Sequence, residues 1–161
     1  MLAKALSASV VGIDAFVVEV EVDLALGLPN FATVGLAEGA VRESKDRVKA
    51  AIKNSGYEYP NRRITVNLAP ADVKKEGSHF ALPIALGLLA AQDLFEGDRL
   101  TPYLLIGELS LDGALRRVQG CLPMAIAAAA RGFKGIILPA ENGPEAAVVR
   151  GIEVLPAKTL P

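Results

Sequence analysis

A chain of 161 residues has the length of one domain. Its 52% hydrophobic and 22% charged residues provide a sizeable core and exclude a disordered chain, and a net charge of −1 excludes nucleic-acid binding by bulk charge alone, leaving only a local patch. A single Cys, Cys121, and a single His, His79, exclude an internal disulfide and a Cys/His zinc site.

The elements follow in order. "ALSASVVGIDAFVVEVEVDL" reads as two β runs joined by a hairpin turn at "GIDA". In the second run Val18, Val20 and Val22 alternate with Glu19, Glu21 and Asp23, the pattern of a half-buried antiparallel strand. "LGLPNFATVGL" is a loop plus a strand. "AEGAVRESKDRVKAAIKNSG" is the first strong helix. Val41, Val48, Ala51 and Ile52 share a face, Arg42/Asp46 and Glu43/Arg47 stand four apart, and Gly56 is placed to end the helix. "RRITVNLAP" is the next strand, stopped by Pro70. A second helix is predicted over about Ala81 to Gln92. "PYLLIGELSLDGALRRV" gives a strand, a turn near Gly107 and a hairpin through Asp112-Gly113, the signal for a type I′ turn. "CLPMAIAAAARG" is a helix closed by Gly132, "FKGIILPA" a buried-type strand, "NGPEAAVVRG" a short helix with Pro144 in its first turn, and "IEVLPA" a last strand. The fold class is therefore α+β: β-hairpins in front, then β-α-β units with right-handed crossovers. The domain is expected to span 1–157, with 158–161 beginning a linker.

Chemistry is sought first in "DVKKEGSHFALPIALG". Ser78 and His79 read as a nucleophile and base at a helix mouth, or as a helix cap and a residue on the rim. Side chains adjacent in sequence meet poorly as a catalytic pair, and Ser is a preferred N-cap, so capping is the favoured reading. The apolar neighbours of Cys121 raise its thiol pKa and make it an inert core residue. Glu19, Glu21 and Asp23 read as a solvated strand face, and no metal site is expected. The chain has no G-x-x-x-x-G-K-S/T phosphate loop and no G-x-G-x-x-G fingerprint.

Charge is uneven. Residues 42–75 hold nine Lys or Arg against four acids, whereas residues 1–41 hold one Lys against five acids. Helix ion pairs account for most of the charges from Arg42 to Lys53, and no aromatic residues interleave with them to stack bases. Lys74 and Lys75, with Ser78 and His79, remain as candidate contacts for nucleic acid or a partner. "FALPIALGLLAAQ" is too short to span a bilayer, and "MLAKALSASVVGID" lacks the apolar region of a signal peptide. A cytoplasmic location and no membrane partner are expected.

Three stretches carry a resemblance over nearly the whole chain: "GLPNFATVGLAEGAVRESKDRVKAAIKNSG", "RRITVNLAPADVKKEGSHFALPIALGLLAA" and "LLIGELSLDGALRRVQGCLPMAIAAAARGFKGIILPAEN". They resemble the amino-terminal domain of the Mg-chelatase-related ATPases of the ComM/YifB type, a domain similar to the proteolytic domain of Lon. The resemblance implies a two-layer sandwich of the ribosomal protein S5 domain 2-like, Lon-like type. It implies a longer protein in which an AAA+ module, absent from this chain, binds ATP and Mg²⁺ and forms a hexameric ring. It also implies a link to DNA processing in natural transformation. The expected partners are that AAA+ module, neighbouring subunits and DNA.

Lon proteases use a Ser-Lys dyad. Matching "GELSLDG" to their hairpin without gaps puts Met124 at the Lys position and Ala81 at the Ser position, and a gap would move the latter to Ser78 or His79. Helix "CLPMAIAAAA" has no Lys, and a Ser without a base is a poor nucleophile. Ala81 also departs from the family's usual "FDLPIA". The expected function is thus a non-catalytic domain assisting ring assembly or DNA guidance, with no catalytic residue and no cofactor of its own. The alternatives are a degenerate Lon-like serine hydrolase using Ser78 and His79, and a subunit of a metal-inserting chelatase.

Overall fold

The computed structural model describes residues 2–11, 14–35, 37, 39–71, 75, 77–95 and 99–160. Strands β1 (Leu2–Val11) and β2 (Asp14–Ala25) form one long antiparallel hairpin, paired from Leu2↔Asp23 to Val11↔Asp14. Alternation along β2 sends Val18, Val20, Val22 and Leu24 into the core. Each such side chain, fully buried, contributes about 1.5–3 kcal/mol. Glu19, Glu21 and Asp23 take the opposite face.

Strand β3 (Asn30–Val34), helix α1 (Gly39–Asn54) and strand β4 (Arg63–Ala69) follow, and β3 and β4 pair in parallel. A single 3₁₀ turn, Ser78–Phe80, leads into helix α2 (Ala81–Ala91). Helix α2 is buried almost all round, which its unbroken apolar sequence permits. A Cβ on Gly87 would stand 2.7 Å from Val22 Cγ2, so the bare glycine allows the helix to lie close on β2. Then come β5 (Tyr103–Leu105), the small hairpin β6 (Glu108–Leu109) and β7 (Leu115–Arg116), helix α3 (Cys121–Ala130), β8 (Gly135–Pro139), a short helix α4 (Gly143–Ala146) and β9 (Glu153–Ala157). The main sheet has the order β3-β4-β2-β1-β5-β8-β9. Strands β1–β2 and β2–β4 pair antiparallel, and the remaining neighbours pair parallel.

The α+β reading holds, with two corrections. First, the sheet is covered on both faces, so the expected two layers become three over its β1–β5–β8 half. One core joins α1 and α2 to Ala3, Ala5, Val20, Val22 and Leu105. The other joins α3 and α4 to Ala8, Leu104, Ile106, Ile136 and Leu138. Consecutive residues of β5 and β8 therefore face opposite cores, as in a parallel sheet buried on both sides. Second, a β-α-β unit also occurs in the front half, because α1 is long enough to carry the chain from β3 to a parallel neighbour. Strands β3, β4, β5 and β8 all run the same way, and β3→β4 and β5→β8 step the same way along the sheet. Their connecting helices lie on opposite faces, so the two crossovers have opposite hands, and one of them has the rare left hand.

The hairpin through Asp112-Gly113 forms without a type I′ turn. Among the described residues only Asp93 is a non-glycine with positive φ, whereas type I′ requires positive φ at Asp112 as well. The observed turn is closed by Gly113 N–H donating to Ser110 O at 3.0 Å, and Asp112 accepts from Ser110 Oγ at 2.5 Å and from Ala114 N–H at 3.0 Å. Residues 158–160, the expected start of a linker, lie against this turn: Leu115 N–H donates to Lys158 O and Leu160 N–H to Gly113 O, both at 2.8 Å.

Gly35, just after β3, has φ +103°, and a Cβ built there would overlap the carbonyl oxygen of Leu68. Gly35→Ala is expected to lower stability by about 2–4 kcal/mol, from left-handed backbone strain and steric displacement of β4, read as a fall in the urea midpoint at unchanged m-value.

Candidate functional site

The 3₁₀ turn brings the sequence candidates together and then separates their side chains. The Oγ of Ser78 donates to Glu108 Oε2 at 2.8 Å. It makes no capping bond, either to the turn or to α2, which corrects the expected helix cap. Glu108 draws the hydroxyl away because β6 is bonded to the turn: Gly107 N–H donates to His79 O at 2.9 Å, and Leu82 N–H donates to Gly107 O at 3.1 Å.

His79 does not sit on a rim. It is 6% exposed, its ring lies 4.3 Å from the Phe80 ring, and its Nε2–H donates to Ala8 O at 2.6 Å. A carbonyl accepts only from a protonated nitrogen, so the neutral ring carries its proton on Nε2. Burial holds its pKa below the ordinary value of 6.5, opposed in part by the bond to Ala8. Ser78 and His79 thus have separate partners and do not form a nucleophile–base pair.

Lys75 is also corrected. It is fully buried, and its Nζ donates to Gly35 O at 2.7 Å and to Pro70 O, so the ammonium is not presented to a phosphate. Lys74 lies outside the described residues. Cys121 is buried as expected, and its thiol is pushed up to about 12 by burial and by the nearby Glu145 carboxylate. Met124 and Ala81 are both fully buried in the cores. On the acidic stripe, Glu19 pairs with Lys4 at 3.5 Å, and Glu21 accepts from Asn67 at 2.9 Å. Among the described residues, no three His, Cys, Asp or Glu side chains are grouped to hold a metal ion.

An open groove of about 440 Å³ runs between α1 and the β3 end of the sheet. Lys45, Lys49 and Lys53 line one wall, and Phe31, Tyr59 and Arg62 face them. The helix places lysines four apart on one flank, because its apolar face (Val41, Val48, Ala51, Ile52) is turned into the core. Lys49 Nζ lies 5.5 Å from the centre of the Tyr59 ring. The Tyr59 hydroxyl is pushed up to about 12 by burial and by Asp46. The basic residues are legible in the sequence, where helix ion pairs account for most of them and no aromatic residue interleaves with them. Glu43 does pair with Arg47, at 3.8 Å. The aromatic residues arrive from β3 and from the segment after α1, where no local pattern connects them to the helix. The recurrence Lys45-Lys49-Lys53 was the one available signal.

The family described as subunit ChlI of Mg-chelatase has a model that matches residues 20–142. The uncharacterized protein YifB of Escherichia coli K12 is 48% identical over 140 residues, covering 87% of this chain and 28% of that protein. Competence protein ComM of Haemophilus influenzae is 44% identical over 159 residues, 99% of this chain and 31% of that protein. An uncharacterized protein of Mycobacterium tuberculosis is 44% identical over 159 residues, 99% of this chain and 32% of its own length. The chain spans about a third of the length of these relatives.

Two outcomes are expected. Lys75→Ala removes the donor to the part-buried bonds at Gly35 and Pro70 and opens a cavity in place of a fully buried side chain, and is expected to cost about 2–4 kcal/mol in urea unfolding. His79 binds a proton near its ordinary pKa when unfolded and only at lower pH when folded, so the unfolded state holds the extra proton below about pH 6.5. Stability should fall as pH falls through that window, and the urea midpoint of the parent chain should drop more steeply from about pH 7.5 to about 5.5 than that of His79→Gln.

Proposed function

Since the chain belongs to the ComM/YifB family of Mg-chelatase-like proteins, we propose that it is a non-catalytic module of a longer AAA+ ATPase, one that assists assembly of the motor ring or guides DNA toward it. The observation that carries the non-catalytic reading is the separation of Ser78 and His79. The hydroxyl is held by Glu108 and the imidazole by Ala8, so His79 is not in place to activate the hydroxyl as its base. Cys121 offers no alternative nucleophile, because a thiol raised to about 12 stays protonated near neutral pH.

ATP and Mg²⁺ do not fit this chain's own residues. It has no glycine-rich loop ending in Lys-Ser or Lys-Thr to cradle the phosphates. Nucleotide chemistry belongs, in this reading, to the rest of the longer protein, consistent with relatives about three times the length of the chain. Metal insertion has no grouping of ligands in its favour among the described residues.

DNA guidance is favoured by Lys45, Lys49, Lys53 and Arg62 around one open groove, and by the name of the competence protein among the relatives. A serine-directed fluorophosphonate probe is expected to leave the native chain unlabelled; labelling that disappears in Ser78→Ala would overturn the non-catalytic reading. Anisotropy of labelled forked DNA then separates the two roles. Saturable, salt-sensitive binding that falls at least about tenfold in Lys49→Glu/Lys53→Glu assigns guidance, and no binding at low salt leaves assembly.

A further inference from the structure

The groove has a second wall that the charge argument does not use: Asn30 and Phe31, which begin the open edge of the sheet. Strand β3 is one end of the seven-stranded order, and β9 is the other. Asn30 N–H donates to Arg62 O, at 3.4 Å. In a parallel ladder this directs the N–H and C=O of Asn30, Ala32 and Val34 toward β4, and those of Phe31 and Thr33 outward. Edges of this kind are normally guarded by charge, proline or a bulge. Strand β9 carries Glu153 and Pro156, whereas β3 reads "NFATV", with no charge and no proline. Leu28, 87% exposed, and Val34, 48% exposed, stand at its two ends as apolar surface that a neighbouring strand would cover.

The basic wall matches this edge in spacing. Residues four apart on a helix repeat every 6 Å or so, and alternate residues of a strand repeat every ~6.6–6.8 Å. An extended segment lying along β3 would therefore bring every second side chain past Lys45, Lys49 and Lys53 in turn. We propose that the groove between β3 and α1 receives an extended acidic peptide segment, added to β3 as a further strand, with carboxylates on alternate residues meeting the three lysines. The proposal rests on the reading of this chain as a non-catalytic module that assists assembly and names the chemistry of what would dock on it. Nucleic acid suits the lysines but not the edge: phosphates accept hydrogen bonds and donate none, so the outward carbonyls of Phe31 and Thr33 would face acceptors. A peptide backbone supplies both donor and acceptor, as in other cases of strand addition.

The test uses the 161-residue chain and a fluorescein-labelled octapeptide in which Glu alternates with Thr, read by anisotropy at moderate salt. Saturable binding is expected. A peptide of the same composition with its Glu residues in one block should bind at least about tenfold more weakly. N-methylation of the amides that face β3 when Glu faces α1 should abolish binding, and methylation of the other alternating set should not. Lys49→Glu/Lys53→Glu should weaken binding more than about tenfold at an unchanged urea midpoint. Equal binding by both methylated peptides, or by the block peptide, would overturn strand addition in favour of plain charge attraction. Binding of a labelled oligothymidylate without binding of the peptide would overturn the proposal and leave DNA guidance standing. If neither binds, the proposal fails, while the non-catalytic reading is decided separately by the fluorophosphonate probe.

Discussion

The alternation of side chains along the β1–β2 hairpin is the constraint on which the other parts depend. Ten consecutive pairs, from Leu2↔Asp23 to Val11↔Asp14, lock the two strands in one register. A slip of one residue would move Val18, Val20, Val22 and Leu24 from the core to solvent and bring Glu19, Glu21 and Asp23 inside. That register defines the faces of the sheet for every strand added to either side. β4 continues the same faces outward from β2, so Ile64, Val66 and Leu68 join the valines beneath α1 and α2. β5 continues them from β1, so Leu105 joins that core while Leu104 joins the one beneath α3.

Buried polar groups are the second organising force, and they explain why the reactive-looking residues are quiet. A buried donor or acceptor without a partner costs about 1–3 kcal/mol, so irregular segments crossing the interior need side chains that bond their backbones. His79 does this for Ala8, and the buried ammonium of Lys75 is itself held by the Gly35 and Pro70 carbonyls. Asn142 does it for Val118, accepting from its N–H and donating to its C=O, both at 2.9 Å. Each of these residues joins parts of the chain that are distant or irregular. A lysine or histidine held in this way contributes to the fold through the same polar atoms that catalysis or phosphate binding would require.

The outer surface follows from the same packing. Once the apolar face of α1 is turned onto the sheet, its lysines must lie along the flank, beside β3, the outer of the two strands the helix connects. That strand is also an edge. A basic flank and an unguarded backbone edge therefore share one groove because a single β-α-β unit, at the end of the sheet, builds both. The groove is the one place among the described features where charge, aromatic surface and open backbone converge, and this distinguishes it from the 3₁₀ turn, where Ser78 Oγ and His79 Nε2 are already bonded within the chain.

Much of the fold could be read from local pattern. Period-two alternation marked β2, helical spacing of Val41, Val48, Ala51 and Ile52 marked α1, an apolar run up to Gln92 marked α2, and apolar runs ended by Gly or Pro marked α3 and β8. Those signals are short-range, so the amino-acid sequence alone determined them. It determined too the lack of a phosphate loop and the placing of Cys121 in a core. The tertiary structure alone decided which face each helix covers, and with it the third layer and the opposite hands of the two crossovers. It alone decided that Ser78 turns to Glu108, that His79 and Lys75 go inside, and that Phe31 and Tyr59 meet the lysines of α1. These outcomes depend on which distant backbone groups need a partner and which strands become neighbours. Both are settled by burial across the whole chain, and neither has a period that a stretch of sequence could display.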